Sequence, residues 1–348
     1  MRNDIILCNF ALNKFFMKKL LSILLCIVLL CSCSDVDEPC RGESCERTTI
    51  IFDTDMISST DDLVALCALY KYMDDGRCDV IGIVVDREGE VNAACADVFN
   101  SFYGHADIPI GLVRDGIKDD KVFIDYSDVT VWQDSDGNPL FRRSINDYST
   151  LPDGWELYRT LLQSAPDKSV TIVSVGFLTA LAQLLSSDGG PQLVADKVKS
   201  IYIMGGCFNN GLADYNFAHG PEFAQTFFDL WPENTPMYFS PFEVGAGIYY
   251  GKQLLLEDFA ATTTHPLKEI YRRHDEDRTQ KMWDPLAVIQ AVEGDGWFTL
   301  SEWGHVSIDS EGNTTFTPLP NGNCRYQLPG DDAWNAATLN KIRSLIVR

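Results

Sequence analysis

The sequence has few basic residues and few histidines. Its 348 residues include 28 lysines and arginines against 50 aspartates and glutamates, which gives a formal net charge of −22 at pH 7, and it has 5 histidines. Nucleic acid and anionic membranes both carry negative charge, so a chain of this charge is poorly suited to bind either through a basic surface. The composition therefore argues against nucleic-acid binding and is compatible with a small ligand that carries no phosphate.

The cysteines lack any spacing that is typical of a zinc site, although there are 11 of them. Cys40 and Cys45 enclose a short polar segment, and in an oxidising compartment we expect them to form a small disulfide. Four others lie within the first 33 residues, and the rest stand alone or in apolar contexts.

The amino-terminal apolar run is too short to span a bilayer comfortably. Met17-Lys18-Lys19 precedes the apolar residues 20–30, and a Cys-Ser-Cys sequence that ends at Cys33 follows them. This arrangement resembles a bacterial lipoprotein signal, in which Cys33 becomes the lipidated first residue. We therefore predict a signal segment at residues 1–33, with Met17 as an alternative start, and a tether at 34–47. An ordinary secretory signal or an uncleaved anchor is the alternative.

This signal predicts where the protein is found. It places the mature chain in the bacterial cell envelope, on the periplasmic side or at the outer-membrane surface. The lipid on Cys33 would then be its only contact with the membrane.

The remaining sequence, residues 48–348, has no internal repeat, low-complexity tract or linker that would divide it. Hydrophobic residues make up 45% of the chain and charged residues 22%, which is typical of a globular protein with an ample core. Apolar strands alternate with helices along most of this length, which predicts parallel strand pairing. We therefore expect one α/β domain with a single open, mostly parallel, doubly wound sheet, extra helices and a hairpin at residues 303–317.

Four carboxylates follow the first predicted strand within ten residues. The apolar run ends at Phe52; Asp53, Asp55, Asp61 and Asp62 come next, and residues 63–70 read as a buried helix. A loop between a strand and its helix lies at the carboxyl edge of a parallel sheet. Because like charges repel, this loop predicts a hard cation with oxygen ligands, calcium or magnesium. An exposed acidic loop that caps the helix is the alternative.

Six motifs, in order and at suitable distances, resemble the inosine-uridine-preferring nucleoside hydrolase family. They are the aspartate block at residues 53–66, Val-Gly-Phe-Leu-Thr at 175–179, Met-Gly-Gly at 204–206, Asp-Tyr-Asn at 214–216, Ser-Pro-Phe-Glu-Val-Gly at 240–245 and Trp-Asp-Pro-Leu-Ala at 283–287. Each motif alone is weak. The resemblance covers most of residues 49–347 and is strongest to a divergent branch with two residues inserted before the aspartate pair.

The resemblance implies a calcium site. Its ligands would be the side chains of Asp55, Asp62 and Asp284 and the backbone carbonyl of Val175. It also implies that Asp55 is the general base that deprotonates the metal-bound water. The family usually forms dimers or tetramers, which implies a homodimer or homotetramer here.

The resemblance implies ribonucleosides as substrates and hydrolysis of their N-glycosidic bond. Asp61 would hold a ribose hydroxyl, and Asn216 and Asp214 would complete the sugar clamp. Cleavage passes through an oxocarbenium-like sugar, so anionic groups around the ribose stabilise the charge that develops.

The sequence departs from the family pattern at the step where the nucleobase leaves. Many members have a histidine before the distant aspartate as the leaving-group acid, and this chain has Trp283, which can stack on a purine ring but cannot donate a useful proton. His219 is the alternative acid, and we expect Trp283 and Phe217 to line the base pocket. The family's asparagine after the second strand has only Asn92 as a candidate.

Three alternatives remain open from the sequence. Trp283 replaces the histidine of many members, and Asp214 replaces a usual glutamate of the family. These changes are compatible with a calcium-containing surface protein that binds a ribosyl ligand or a glycan without turnover. Another N-ribosyl compound is a possible substrate. Asp53-Thr54-Asp55 after a strand also resembles the nucleophile motif of haloacid-dehalogenase-like phosphatases, in which Asp53 would be the nucleophile.

Overall fold

In the part of the chain that the structure describes, nine strands form one sheet. The structure is a computed structural model that describes residues 47–57, 59–118, 124–209, 212–274 and 281–347. The strands are β1 (Thr48–Thr54), β2 (Cys78–Arg87), β3 (Ile110–Ile117), β4 (Val170–Ser174), β5 (Val198–Met204), β6 (Met237–Ser240), β7 (Gly304–Ile308), β8 (Thr314–Pro318) and β9 (Cys324–Tyr326). The predicted signal, Cys33 and the Cys40–Cys45 pair lie outside the described residues.

Helices connect most of the strands. They are α1 (Asp61–Asp74), α2 (Glu90–Tyr103), α3 (Gly154–Ser164), α4 (Thr179–Ser186), α5 (Gly190–Lys197), α6 (Tyr215–Ala218), α7 (Pro221–Leu230), α8 (Phe242–Gly245), α9 (Lys252–Asp258), α10 (Pro266–Arg273), α11 (Asp284–Glu293) and α12 (Asp332–Ile346). Within the described ranges, none of these helices combines the length and the apolar character needed to cross a membrane.

The strand order is β3-β2-β1-β4-β5-β6-β9-β7-β8. Neighbours from β3 to β9 pair in parallel, and β7 is antiparallel to both β9 and β8. This confirms the predicted α/β class with its open, mostly parallel sheet. The sequence did not predict β9, whose three residues are too few to display a period, and β9 joins the predicted hairpin to the main sheet.

The sheet is buried on both faces. Because successive side chains of a strand point to opposite faces, Ile50 and Phe52 of β1 pack into one apolar cluster, whereas Ile51 packs into the other. The chain winds outward from β1 through β2 to β3 and then returns to the other side of β1 with β4. Ligands of open α/β sheets bind at such a switch point, outside the carboxyl ends of the strands. The acidic loop after β1 lies at this point.

The polar segment between β3 and α3, as far as the structure describes it at residues 124–153, has little regular structure, as its composition predicts. Asp97, a buried residue of α2, holds it in place: its carboxylate accepts hydrogen bonds from the backbone N–H groups of Ser144 and Ile145 and from the hydroxyl of Tyr148. The hydroxyl of Tyr126, in the same segment, accepts a hydrogen bond from the N–H of Ile57 at 2.8 Å. The segment therefore supports the loop that carries the carboxylates.

Gly176 allows the ends of β1 and β4 to meet. A Cβ atom there would lie 2.4 Å from the backbone nitrogen of Asp55. We predict that Gly176→Ala lowers the free energy of unfolding by about 1–3 kcal/mol, because the clash is with backbone that cannot move aside. Chemical denaturation measures the change. Gly296→Ala is the matched control, since nothing lies within 4 Å of that Cβ. If the two variants were equally stable, the steric clash described at Gly176 would be contradicted.

Candidate active site

The loop after β1 turns through a strained conformation. Met56 and Ile57 both have a φ of 41°, in the left-handed region that favours glycine, and both side chains are buried. Such residues cost on the order of 1–3 kcal/mol each and persist only where the surroundings impose them. The turn precedes α1, whose first turn carries Asp61 and Asp62.

Three carboxylates converge beside this loop. Asp61, Asp62 and Asp284 each offer an oxygen atom, and the three oxygens lie within 4.8 Å of one another. All three side chains are buried. Asp284 is the first residue of α11, as Asp61 is of α1, so two helix amino termini meet at the cluster and their dipoles favour negative charge there.

Hydrogen bonds orient two of the three carboxylates, those of Asp61 and Asp62. Asp61 Oδ2 accepts hydrogen bonds from the backbone N–H groups of Trp283, at 3.1 Å, and of Asp284, at 3.4 Å. The hydroxyl of Ser59 donates to the other oxygen of Asp61. Asp62 Oδ1 accepts a hydrogen bond of 2.5 Å from the hydroxyl of Thr54, the last residue of β1.

Asp55, a predicted metal ligand, does not belong to this group of three in the described part of the chain. Its Oδ2 atom lies 3.0 Å from the guanidinium of Arg87, a buried residue at the end of β2. Arg87 Nε also donates to the backbone carbonyl of Asp55 at 3.0 Å, and its Nη2 donates to the hydroxyl of Tyr215 at 3.1 Å. The ring of Phe177 lies 5.2 Å from the guanidinium carbon.

Two further aspartates lie deeper in the fold. Asp53 is fully buried and accepts hydrogen bonds from the hydroxyls of Tyr158, at 2.9 Å, and Ser174, at 3.4 Å. A carboxylate enclosed in this way is not placed to attack a substrate, which argues against the phosphatase alternative. Asp86 accepts hydrogen bonds from the N–H groups of Thr179 and Ala180, so it secures the start of α4.

The cluster is electrostatically costly in the absence of a cation. Burial raises the pKa of Asp61 to about 7. Burial and then the charges of neighbouring aspartates raise the pKa of Asp62 and of Asp284. Burial also raises the pKa of Asp55, and the positive charge of Arg87 opposes that rise. A divalent cation would compensate these charges, and an all-oxygen set of buried carboxylates suits calcium or magnesium.

The predicted carbonyl ligand lies near the predicted sugar clamp. The carbonyl of Val175 accepts a hydrogen bond of 2.9 Å from the side-chain amide of Asn216, which also donates to the carbonyl of Met204. Asp214 caps α6 by accepting a hydrogen bond from the N–H of Phe217 at 3.0 Å. Burial raises the pKa of Asp214 to about 7.

The rings of His219 and Tyr215 lie close together and are tilted by 41° relative to each other. Their ring centroids are 3.9 Å apart, and the His219 Nδ1 atom lies 2.8 Å from the carbonyl of Tyr215. Through the hydroxyl of Tyr215 the pair is linked to Arg87 and hence to Asp55. The imidazole is exposed, and its assignment as leaving-group acid stays a prediction.

Trp283 lies at the rim of the cluster and is partly exposed. Its indole N–H donates to the carbonyl of Phe242 at 2.8 Å, and its ring stacks on that of Phe242 with centroids 5.5 Å apart. Gly245 permits this position, since a Cβ there would lie 2.2 Å from Trp283 Cδ1. The two rings form an aromatic wall, and the backbone N–H of Trp283 ties this wall to Asp61.

One predicted placement, that of Phe217, is wrong, and the structure also shows what Asn92 contacts. Phe217 is fully buried; its ring lies against Gly205 and edge-on to Phe228, within the core rather than in a base pocket. The amide of Asn92 donates to the carbonyl of Glu88 at 2.8 Å and so supports the loop after β2. The side chain that reaches Asp55 from β2 is Arg87, which the sequence reading missed. In the sequence, the only indication of this contact is that an arginine lies at the end of a buried strand.

Comparisons with known proteins identify the family of the chain. The model of the family described as inosine-uridine preferring nucleoside hydrolase matches residues 50–323. No curated protein matches the sequence.

Solved structures share the fold at low sequence identity. A plant nucleoside hydrolase has a TM-score of 0.63 at 19% identity, over 86% of this chain and 98% of that one. An inosine-guanosine nucleoside hydrolase has a TM-score of 0.65 at 18% identity, over 86% and 98%. A purine-preferring ribonucleoside hydrolase from Gardnerella vaginalis has a TM-score of 0.61 at 15% identity, over 86% and 99%. The family match spans most of the chain, and the protein therefore belongs to the inosine-uridine preferring nucleoside hydrolase family, a family of N-glycosyl hydrolases.

Proposed function

We propose that the protein hydrolyses the N-glycosidic bond of ribonucleosides with the help of a bound calcium ion, releasing ribose and a nucleobase. The observation that carries the proposal is the convergence of Asp61, Asp62 and Asp284 at the switch point of the sheet, with their oxygens within 4.8 Å of one another. Family membership supplies the reaction class, and the names of the similar structures support a nucleoside as substrate.

Asp55, Asp62 and Asp284 would hold the ion, as the family resemblance implies, and the carbonyl of Val175 would add a neutral oxygen ligand. When bound, calcium would supply the positive charge that orients the attacking water and the ribose hydroxyls, but it acidifies water less than zinc does. A carboxylate base beside the site is therefore needed.

Asp55 is the proposed base. It would accept a proton from the water as the water oxygen bonds to C1′ of the ribose and the C1′–N bond breaks, with the bonding electrons going to the nucleobase. Asp214, Asn216 and Asp61 would hold the ribose hydroxyls. The remaining negative charge around the sugar would stabilise the oxocarbenium-like transition state.

Two groups are proposed to assist the departure of the nucleobase. The Trp283 and Phe242 wall would stack on the ring, and the exposed imidazole of His219 would supply a proton. The pairing of Tyr215 with His219 and Arg87 supports a place for His219 near the reacting groups.

A second candidate is a calcium-containing protein that binds a ribosyl ligand or a glycan without turnover. The ion pair between Asp55 and Arg87 favours it, because a base held by a cation is less basic. Only the first candidate predicts that free nucleobase is released from the nucleoside.

The proposal includes a location and an assembly. The lipoprotein-like signal supports a lipid anchor on Cys33 that holds the enzyme in the bacterial cell envelope. Family membership supports a homodimer or homotetramer.

The first prediction concerns catalysis. The protein incubated with a panel of nucleosides and calcium should release free base, detected by chromatography, and a chelator should abolish the release. Asp55→Asn should lower kcat by about 10²–10⁴-fold, because a positioned general base contributes that much. Asp79→Asn, a half-exposed aspartate paired with Arg47, is the control and should keep full activity. Ligand binding without base release would favour the second candidate.

The second prediction concerns the aromatic wall. Trp283→Leu should lower kcat/KM for purine nucleosides about ten-fold, because stacking of a base on an aromatic ring contributes roughly 1–3 kcal/mol, and should lower it less for uridine, whose ring is smaller. Trp303→Leu is the matched control, since Trp303 packs on Tyr238 and Arg325 instead. Equal losses for purine and pyrimidine nucleosides would show that the ring does not stack on the base.

The third prediction concerns pH. Aspartates whose pKa is raised on folding bind protons more tightly in the folded state, so the stability that they contribute is present at low pH and is lost as the pH rises through about 7. The calcium-free protein should therefore melt at a lower temperature at pH 8 than at pH 5.5, and calcium should reduce this difference. Thermal melts followed by circular dichroism measure it. A chelated protein that is more stable at pH 8 would contradict the electrostatic account.

A further inference from the structure

The acidic loop that joins β1 to α1 has a conformation that its own sequence does not favour. Met56 and Ile57 have φ values of 41° although neither is glycine, and a positive φ is unusual for a β-branched residue such as Ile57. The buried carboxylates of Asp55, Asp61 and Asp62, in the loop and in the first turn of α1, also repel one another in the absence of a cation. Contacts from elsewhere in the fold therefore have to hold the loop in this form.

The first of these contacts comes from Tyr126, in the polar segment that follows β3. Its hydroxyl accepts a hydrogen bond of 2.8 Å from the backbone N–H of Ile57, and both residues are buried. A buried N–H in a left-handed turn has no partner in a helix or sheet, and another group has to satisfy it. Tyr126 therefore supplies the hydrogen bond that this backbone conformation requires.

The second contact is made at the other end of the loop. Thr60 directly precedes α1, at the position where a threonine side chain usually caps its own helix. In the described part of the chain it makes no such capping bond, and its hydroxyl instead shares a hydrogen bond of 2.9 Å with the hydroxyl of Tyr271, in α10. Both residues are buried. A local cap is thus replaced by a partner 211 residues away, which ties the start of α1 to α10.

The two elements that carry these tyrosines are themselves held in place. His274 Nε2, just after α10, lies 2.9 Å from Asp128 Oδ1 in the polar segment. The guanidinium carbon of Arg273 lies 4.2 Å from the ring centroid of Trp132, in the same segment. The buried carboxylate of Asp97 bonds that segment to α2. The two tyrosines are therefore fixed relative to one another and to the core.

We propose that Tyr126 and Tyr271 are positioning residues that hold the acidic loop in its strained, cation-binding form before a cation binds. Neither tyrosine contacts the cation or the nucleoside in this account, since each acts through a residue of the loop, Ile57 or Thr60. The inference deepens the proposed function and rests on it, because the cation belongs to that function.

A loop that is already ordered binds a cation more tightly than a loop that must first be ordered. The apparent dissociation constant equals the intrinsic constant divided by the fraction of molecules whose loop has the binding form. Removal of either tyrosine hydroxyl leaves a buried polar group of the loop without its partner, so the strained form loses stability relative to relaxed forms. The fraction in the binding form then falls, and the carboxylates of the loop are presented to the cation less often.

Hydrogen exchange followed by mass spectrometry tests the two contacts on the full chain, in chelator and without nucleoside. The rates are compared for peptides that contain Ile57. We expect Tyr126→Phe to speed this exchange at least ten-fold, and Tyr271→Phe to speed it at least three-fold, because each lost bond makes local opening of the loop easier. Saturating calcium should return both variants to the wild-type rate, since the cation binds only the ordered loop.

Two other buried tyrosines provide matched controls. The hydroxyl of Tyr148, in the same polar segment as Tyr126, donates to Asp97 at 2.8 Å. The hydroxyl of Tyr250 donates to Asp258 at 2.7 Å. Tyr148→Phe and Tyr250→Phe each delete a hydrogen-bonded hydroxyl without touching the loop, so they measure the effect of a general loss of stability. Both should leave exchange at Ile57 and calcium affinity at the wild-type values.

Calcium affinity tests the consequence for the site. Isothermal titration calorimetry should show calcium binding weakened about ten-fold in Tyr126→Phe and in Tyr271→Phe, through the lower fraction of ordered loop. The calcium concentration that gives half of the maximal rate should rise by the same factor. At saturating calcium, kcat should stay within about three-fold of the wild type, because the loop is then ordered again. A base or ligand removed outright would instead lower kcat at every calcium concentration.

The inference is overturned if Tyr126→Phe and Tyr271→Phe exchange at Ile57 as slowly as the wild type. It is also overturned if Tyr148→Phe and Tyr250→Phe weaken calcium binding as much as the two loop variants do. If thermal melts show that one loop variant does not fold, the other alone decides.

These outcomes separate the inference from the proposed function. A chain whose loop exchange and calcium affinity change as expected, but which releases no base, would refute the proposed activity and leave the role of the tyrosines intact. If the wild-type chain bound no calcium, the proposed function would fail, and the exchange rates alone would decide the inference. A chain that releases base, with calcium affinity unchanged in both loop variants, would refute only the inference.

Discussion

The repulsion among buried carboxylates is the constraint to which the rest of the structure is fitted. Seven aspartates are buried around the carboxyl edge of the sheet: Asp53, Asp55, Asp61, Asp62, Asp86, Asp214 and Asp284. Removing a carboxylate from water costs several kcal/mol unless hydrogen bonds or opposite charges compensate it. Helix amino termini, backbone N–H groups and one arginine compensate part of this charge, and a bound cation would compensate much of the rest.

The fold brings these groups together by its topology. The strand order reverses between β1 and β4, Gly176 lets the two strand ends approach there, and the left-handed turn at Met56 and Ile57 precedes α1. The buried core on both faces of the sheet stabilises this strained turn. The stability of the scaffold therefore offsets the strain of a preorganised site. This is common where functional loops lie at the edge of a rigid α/β sheet.

Much of this arrangement was predictable from the sequence because its signals are local. Alternation of apolar strands and helices indicates the parallel sheet, and the spacing of Asp53, Asp55, Asp61 and Asp62 between a strand and a helix indicates a cation site. The residues that depend on tertiary contacts were not predictable. Arg87 meets a partner 32 residues away in Asp55 and another 128 residues away in Tyr215, and no local pattern reports such contacts.

Phe217 shows why adjacency to a motif is a weak guide to function. Asn216 and Phe217 are neighbours in α6, where successive side chains point about 100° apart, so an amide directed to the site sends the next ring into the core.

The central claim is that the converging aspartates hold a resident cation, and elemental analysis of the purified protein tests it most directly. The account predicts one calcium ion per chain, lost when Asp62 and Asp284 are both replaced by asparagine. A wild-type protein with no bound divalent metal after purification in calcium would contradict it.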